Sequence, residues 1–144
     1  MLNKNGFTLV EILIVVVILG ILAAIVVPQF TDASNEAKLS SLCCDLQTLR
    51  SQIELYKIQH NDIPPTLNDF VNQMTDYTNV AGIVQPAAGP NVYGPYIQKI
   101  PLNQFNDLDT VQVSLPAGDN SGGWEYDETT GAIYADDNPN HAKL

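Results

Sequence analysis

The chain divides by its pattern of apolar and polar positions. From Ile12 to Val27 no polar side chain interrupts the run ILIVVVILGILAAIVV. Extended back to Phe7 and wound as a helix, this segment is about 31 Å long, close to the roughly 30 Å of hydrocarbon in a bilayer. The pattern predicts one membrane-spanning helix. Past Pro28 the period changes: Leu39, Leu42, Leu46, Leu49, Ile53 and Tyr56 recur at spacings of three and four, placing them on one stripe of a continuing helix. Asp32, Glu36, Lys38, Asp45, Arg50, Glu54 and Lys57 occupy the opposite, solvated face. A coiled coil shares this spacing, but the run is short and lacks ordered charges on its flanks. The helix should end near His60, where Asn61-Asp62-Ile63-Pro64-Pro65 brings turn chemistry.

Residues 61–109 read as a connector. Pro-Pro-Thr-Leu-Asn-Asp-Phe predicts a helical turn capped by Thr66 or Asn68, and Gln85-Pro-Ala-Ala-Gly-Pro-Asn and Tyr93-Gly-Pro-Tyr predict turns. From residue 110 the period falls to two. Thr110-Val-Gln-Val-Ser-Leu predicts a strand with Val111, Val113 and Leu115 inward. Trp124 to Asp136 predicts a hairpin whose turn ends at Gly131. Three antiparallel strands over the helical stripe give an α+β fold, a long helix packed on a small sheet. The parts are then 1–6, a leader; 7–28, the apolar helix; 29–60, the amphipathic helix; 61–109, the connector; and 110–144, sheet and tail.

Composition narrows the function. The 144 residues carry a formal net charge of −10, with the acids spread through the body, so a phosphate backbone is repelled and no nucleic-acid partner is expected. Cys43 and Cys44 are the only cysteines; adjacent on a helix they point about 100° apart, which disulfide geometry disfavours, and they read as small, partly buried residues, with oxidation between copies of the chain as the alternative. His60 and His141 stand in no motif and read as solvent-exposed. No phosphate loop, nucleophile–base pair or metal-ligand spacing appears, so catalysis is not expected.

One residue resists this reading. Glu11 lies at the start of the apolar run, where a carboxylate in hydrocarbon costs roughly 2.5–3.5 kcal/mol. A cleaved secretory signal fits poorly, because in both candidate pairs before a cleavage point, Leu22 with Ala24 and Gly20 with Leu22, Leu22 occupies a position that needs a small residue. A lipoprotein signal would need a cysteine after the core. A plain signal anchor explains neither Gly6 nor Glu11.

The stretch MLNKNG-FTLVEILIVVVILGILAAIVVPQF resembles the class III signal of the type IV pilin and type II secretion pseudopilin superfamily: a leader with Lys4, then Gly6, then Phe-Thr-Leu-Val-Glu opening an apolar helix. The resemblance implies a type IV pilin-like fold and cleavage by a prepilin peptidase between Gly6 and Phe7, with methylation of the new Phe7 amine. It implies that Glu11, with Thr8 beside it, serves assembly: the Glu11 carboxylate of one subunit meets the Phe7 amine of its neighbour in a helical homo-oligomeric filament. Pairing the charges offsets much of their desolvation. Within one subunit Phe7 and Glu11 are also four residues apart, which allows a local pair. Lys4 stays cytoplasmic by the positive-inside rule, which sends the head to the periplasm. Pro28, and more weakly Gly20, should kink or loosen the helix.

The back half is similar, less specifically, to heads of major pseudopilins, and no cysteine beyond Cys44 offers the C-terminal disulfide of many type IV pilins. The implied function is a structural subunit of a type II secretion pseudopilus, working with an inner-membrane platform, ATPase-driven machinery and minor pseudopilins. A type IV pilus subunit for motility, adhesion or DNA uptake is the first alternative, and a monomeric membrane-tethered binding domain the second. Major pseudopilins commonly bind calcium near the C-terminus; here Asp107, Asp109 and Asp119 are the candidate ligands, although no EF-hand spacing occurs.

Overall fold

The computed structural model describes residues 6–113 and 116–144, with the side chain of Pro28 excepted. The leader residues before Gly6, Lys4 among them, and the inward placement expected of Leu115 lie outside the described residues. Two compact units divide near residue 37.

The first unit is the N-terminal part of α1, which as a whole runs Leu9–Gln59. Gly20 and Pro28 lie inside that helix and do not end it. From Gly6 to Ser41 every described side chain is exposed, including Phe7, Leu13, Leu19, Ile25 and Phe30. A helix apolar on all sides is stable only in hydrocarbon or in a protein core, and among the described residues its side chains are left exposed. It is long and apolar enough to cross a membrane.

The second unit, residues 38–144, is built on the rest of α1. Leu42, Leu46, Leu49, Ile53 and Tyr56 are each at most 2% exposed, as the stripe predicted. Leu39, a turn earlier, is 36% exposed, so burial of the stripe begins at Leu42. The covering layer is the sheet β4 (Val111–Gln112), β5 (Trp124–Asp127) and β6 (Ala132–Ala135), in that order. Trp124 and Tyr126, two apart on β5, join Ile133 and Ala135 of β6 in the core. The β5–β6 hairpin pairs Trp124 with Ala135 and Asp127 with Ala132.

The expected third antiparallel strand takes another form. β4 is only two residues long and runs parallel to β5, with Val111 opposite Trp124. Val113 is 55% exposed, not inward. The reason lies in residues 116–123, which lead the chain back so that β5 enters the sheet in the same direction as β4. Thr110 O accepts from both Gly123 N and Trp124 N at 3.1 and 2.9 Å.

The connector holds more structure than its turn residues indicated. A 3₁₀ turn at Leu67–Asp69 runs into α2 (Phe70–Thr75), which buries Phe70 and Met74. A second sheet follows, with β1 (Tyr77–Asn79) between β2 (Val84–Gln85) and β3 (Val92–Tyr93). Strands of two or three residues are too short to show alternation. Thr66 precedes the 3₁₀ turn but caps nothing with its side chain; its N–H donates instead to Gln73 Oε1 at 2.8 Å.

Four residues are placed against expectation. His60 is buried, not exposed: its ring stacks on Tyr56 with centroids 3.7 Å apart, Nδ1 donates to Tyr56 O at 2.7 Å, and Nε2 faces the Thr78 hydroxyl at 3.0 Å. Positive φ at Asn61 and Asp62 reverses the chain there, bringing β1 over the helix end. His141 is half-buried against Asp137 Oδ2 at 2.6 Å and the Phe105 ring. Cys43 and Cys44 are both exposed, since the helix buries only Leu42 and Leu46 at that level.

Candidate functional site

The N-terminal site consists of Gly6, Phe7, Thr8 and Glu11. Here Phe7 is still joined to Gly6, so its nitrogen is an amide and carries no charge. α1 begins at Leu9, and Thr8 is the residue before it. Glu11 Oε2 accepts from Thr8 N at 2.8 Å and from Thr8 Oγ1 at 2.7 Å, while Thr8 Oγ1 accepts from Glu11 N at 3.2 Å. This reciprocal arrangement is a capping box, which satisfies helix-end donors on both sides. It also sets the carboxylate at the positive end of the helix dipole. Thr-Leu-Val-Glu ahead of an apolar run is the sequence signature of such a cap, and reading Glu11 only as a partner for Phe7 missed it. The cap gives Glu11 a partner inside its own subunit, by way of Thr8 and not Phe7.

The second candidate site is the C-terminal loop. Asp107 and Asp109 are exposed on the segment before β4, and Asp119 is exposed on the loop after it. Among the described residues no group of three or more His, Cys, Asp or Glu side chains stands together so as to hold a metal ion. The three acids named from the sequence are thus not brought together as one group. What the structure brings together instead is a set the sequence did not single out. Asp136, fully buried, accepts from Gly118 N and Asp119 N through Oδ1, at 2.8 and 3.2 Å. Its Oδ2 accepts from Gly122 N at 2.8 Å, with the Ser121 hydroxyl oxygen 3.3 Å away. The one hydrogen of that hydroxyl has its closer acceptor in Asp119 Oδ1, which also accepts from Ser121 N at 2.9 Å.

Asn103, likewise buried, donates from Nδ2 to Gly123 O at 3.0 Å and to Asp137 Oδ1 at 2.9 Å, joining the preceding segment to the tail. Glu125 on β5 is 6% exposed, and its Oε2 has no hydrogen-bond partner. Burial, and then the charges of Asp136, Asp119 and Asp127, push its carboxyl above the usual range. An Asp after a strand, two residues beyond an aromatic, gives no local signal of this role. Only the fold brings residues 118–122 back onto it.

Comparison with known proteins agrees with both halves. Residues 1–27 match the prokaryotic N-terminal methylation motif. Over 110 residues the chain is 43% identical to type II secretion system core protein G of Pseudomonas aeruginosa, spanning 73% of this chain and 70% of that protein. The protein of the same name from Vibrio cholerae is 30% identical over 141 residues, covering 92% of this chain and 90% of its own length. That of Aeromonas hydrophila is 32% identical over 110 residues, 73% of this chain and 70% of the relative. No solved structure matches the chain. With a methylation-motif helix at its start, a helix-on-sheet head behind it, and similarity extending through both, the chain belongs to the type II secretion system core protein G family, the major pseudopilins.

Proposed function

We propose that the chain is the major building block of a pseudopilus that assembles from the inner membrane and helps drive protein export, with its head in the periplasm. The observation that carries the proposal is the exposure of every described apolar side chain of α1 before Leu42. Such a surface is stable in lipid, and equally among the same helices of other copies. Moving from one to the other costs little in apolar solvation, because both surroundings are apolar. Polar contacts can then decide the outcome.

On this reading, peptidase cleavage after Gly6 turns the Phe7 amide into a cationic amine, which methylation leaves charged. Glu11 then exchanges its bonds to Thr8 for the amine of a neighbouring subunit, and that pairing fixes the axial offset between copies. Gly20 and Pro28 are where the helix can loosen as it is drawn from the bilayer. A platform, an ATPase and minor pseudopilins supply force and initiation. The head has no catalytic part in this scheme. The family match favours secretion over a motility or adhesion pilus.

The test is an N-terminal mass spectrum of membrane-purified protein, wild type and Glu11→Ala, together with the yield of sheared filaments. Both proteins should begin at methylated Phe7, and the variant should lose at least about tenfold in filaments, the equivalent of ~1.4 kcal/mol. An intact Met1, or unchanged filament yield in the variant, contradicts the proposal and leaves α1 as a tether.

A further inference from the structure

Calcium is the obvious device for ordering a glycine-rich loop beside several acids, and the resemblance to major pseudopilins implies it. We propose that in this head the loop at residues 118–122 is fixed by the buried Asp136 carboxylate and not by a calcium ion. Calcium takes six to eight oxygen ligands, several of them carboxylate. Among the described residues no three acidic side chains stand together to supply those carboxylates, and the best placed one, Asp136, is already engaged by backbone amides. Three backbone amides of the loop, Gly118 N and Asp119 N on Oδ1 and Gly122 N on Oδ2, converge on the Asp136 carboxylate, with the Ser121 hydroxyl 3.3 Å from Oδ2. The backbone of Asp136 adds two hydrogen bonds: its carbonyl accepts from Asn120 N at 2.7 Å, and its N–H donates to Gly123 O at 3.2 Å. A charge that converges backbone amides in this way does for the loop what a cation does by converging oxygens, with the signs reversed.

The glycines are spaced for that approach. A Cβ at Gly118, where φ is +84°, would lie 2.4 Å from the Asn138 carbonyl carbon, and one at Gly123 would lie 2.2 Å from Leu108 O. At both places the loop lies against neighbouring backbone with no room for a side chain, and Gly118 supplies one of the amides that Asp136 receives.

Glu125 is the observation that presses the other way, since an orphaned carboxylate oxygen also suits a cation. A proton answers the same need. With Asp136 engaged by three backbone amides and Asp119 accepting from Ser121 N at 2.9 Å, a further negative charge at Glu125 is disfavoured by burial and by both neighbours.

The test uses the full-length chain in detergent, in EGTA or with about 1 mM calcium chloride, enough to load even weak extracellular-type sites. Amide hydrogen exchange of the peptide covering residues 116–123 and the thermal midpoint are the readouts. The expected result is the same protection and the same midpoint in both conditions. In Asp136→Asn exchange in that peptide should rise about tenfold, while Asp119→Asn and Glu125→Gln keep the wild-type pattern. A rise in midpoint and protection with calcium that Asp119→Asn or Glu125→Gln abolishes would overturn the proposal. The wild-type, Asp119→Asn and Glu125→Gln arms decide the matter even if Asp136→Asn does not fold, and none of them depends on filament assembly.

Discussion

Two carboxylates of the β5–β6 hairpin have opposite relations to pH. Asp127 accepts from the Thr130 hydroxyl at 2.7 Å and from Thr129 N at 2.8 Å, and these bonds hold its carboxyl below the usual value. A lowered folded-state value means that its contribution to stability is present above the unfolded pKa, about 3.9 for Asp, and lost as pH falls through the folded one. Glu125 is raised, chiefly by burial. Its contribution is complete below about 4.3, the unfolded Glu value, and lost as pH rises through its folded one. Glu125→Gln should therefore leave the thermal midpoint near its wild-type value at pH 4 and raise it at pH 7. Asp127→Asn should lower the midpoint at pH 7 and still at pH 4, both above the unfolded value, and that loss should fade only as pH falls through the folded one. Melting curves of both variants at the two pH values check the signs.

At the scale of elements, the head depends on one turn. The Asp127–Gly131 connection closes with Gly131 N donating to Asp127 O at 2.8 Å, and φ of +80° at Gly131. A Cβ there would stand 3.3 Å from Ile53 Cγ2, Lys57 Cδ and Pro64 Cβ, so helix, hairpin and connector meet at this point. Gly131→Ala should cost about 1–2 kcal/mol from its backbone conformation, more if the three neighbours do not yield. Denaturant unfolding measures it, and an unchanged midpoint would show that the turn relaxes freely.

The hairpin was legible in the sequence because aromatic alternation and turn chemistry agreed, and the α1 stripe was legible because a 3.6-residue period repeated over five turns. The β1–β3 sheet was not, since strands of two or three residues carry no period. The parallel pairing of β4 depends on a loop that brings the chain back in its first direction, and strand pattern says nothing of direction. His60 reads as polar but is buried, because the Tyr56 carbonyl and Thr78, eighteen residues on, satisfy both ring nitrogens. At the N-terminal candidate site Gly6, Phe7, Thr8 and Glu11 stood out by their fixed order at the start of a helix, and the structure joins Thr8 to Glu11 there. Asp136 was not, because its partners are defined by the tertiary fold.

For the whole molecule, a formal net charge of −10 means that heads brought together repel one another. Bundled apolar helices must outweigh that repulsion, which reaches about 30 Å at 0.01 M salt and about 8 Å at 0.15 M. Purified filaments should therefore sediment intact at the higher ionic strength and lose subunits at the lower one. Indifference to salt would place the binding between heads in short-range contacts that already neutralise the acids.

The exposure of Cys43 and Cys44 makes the chain its own probe. They are its only thiols, and both lie on α1 away from the buried stripe. A fluorophore or spin label attached through maleimide chemistry needs no engineered cysteine and leaves Leu42 and Leu46 packed. The same two sulfurs, read by reagent accessibility, distinguish a helix face open to solvent from one shielded by a neighbour, so unlabelled wild-type protein can be followed from membrane pool to filament.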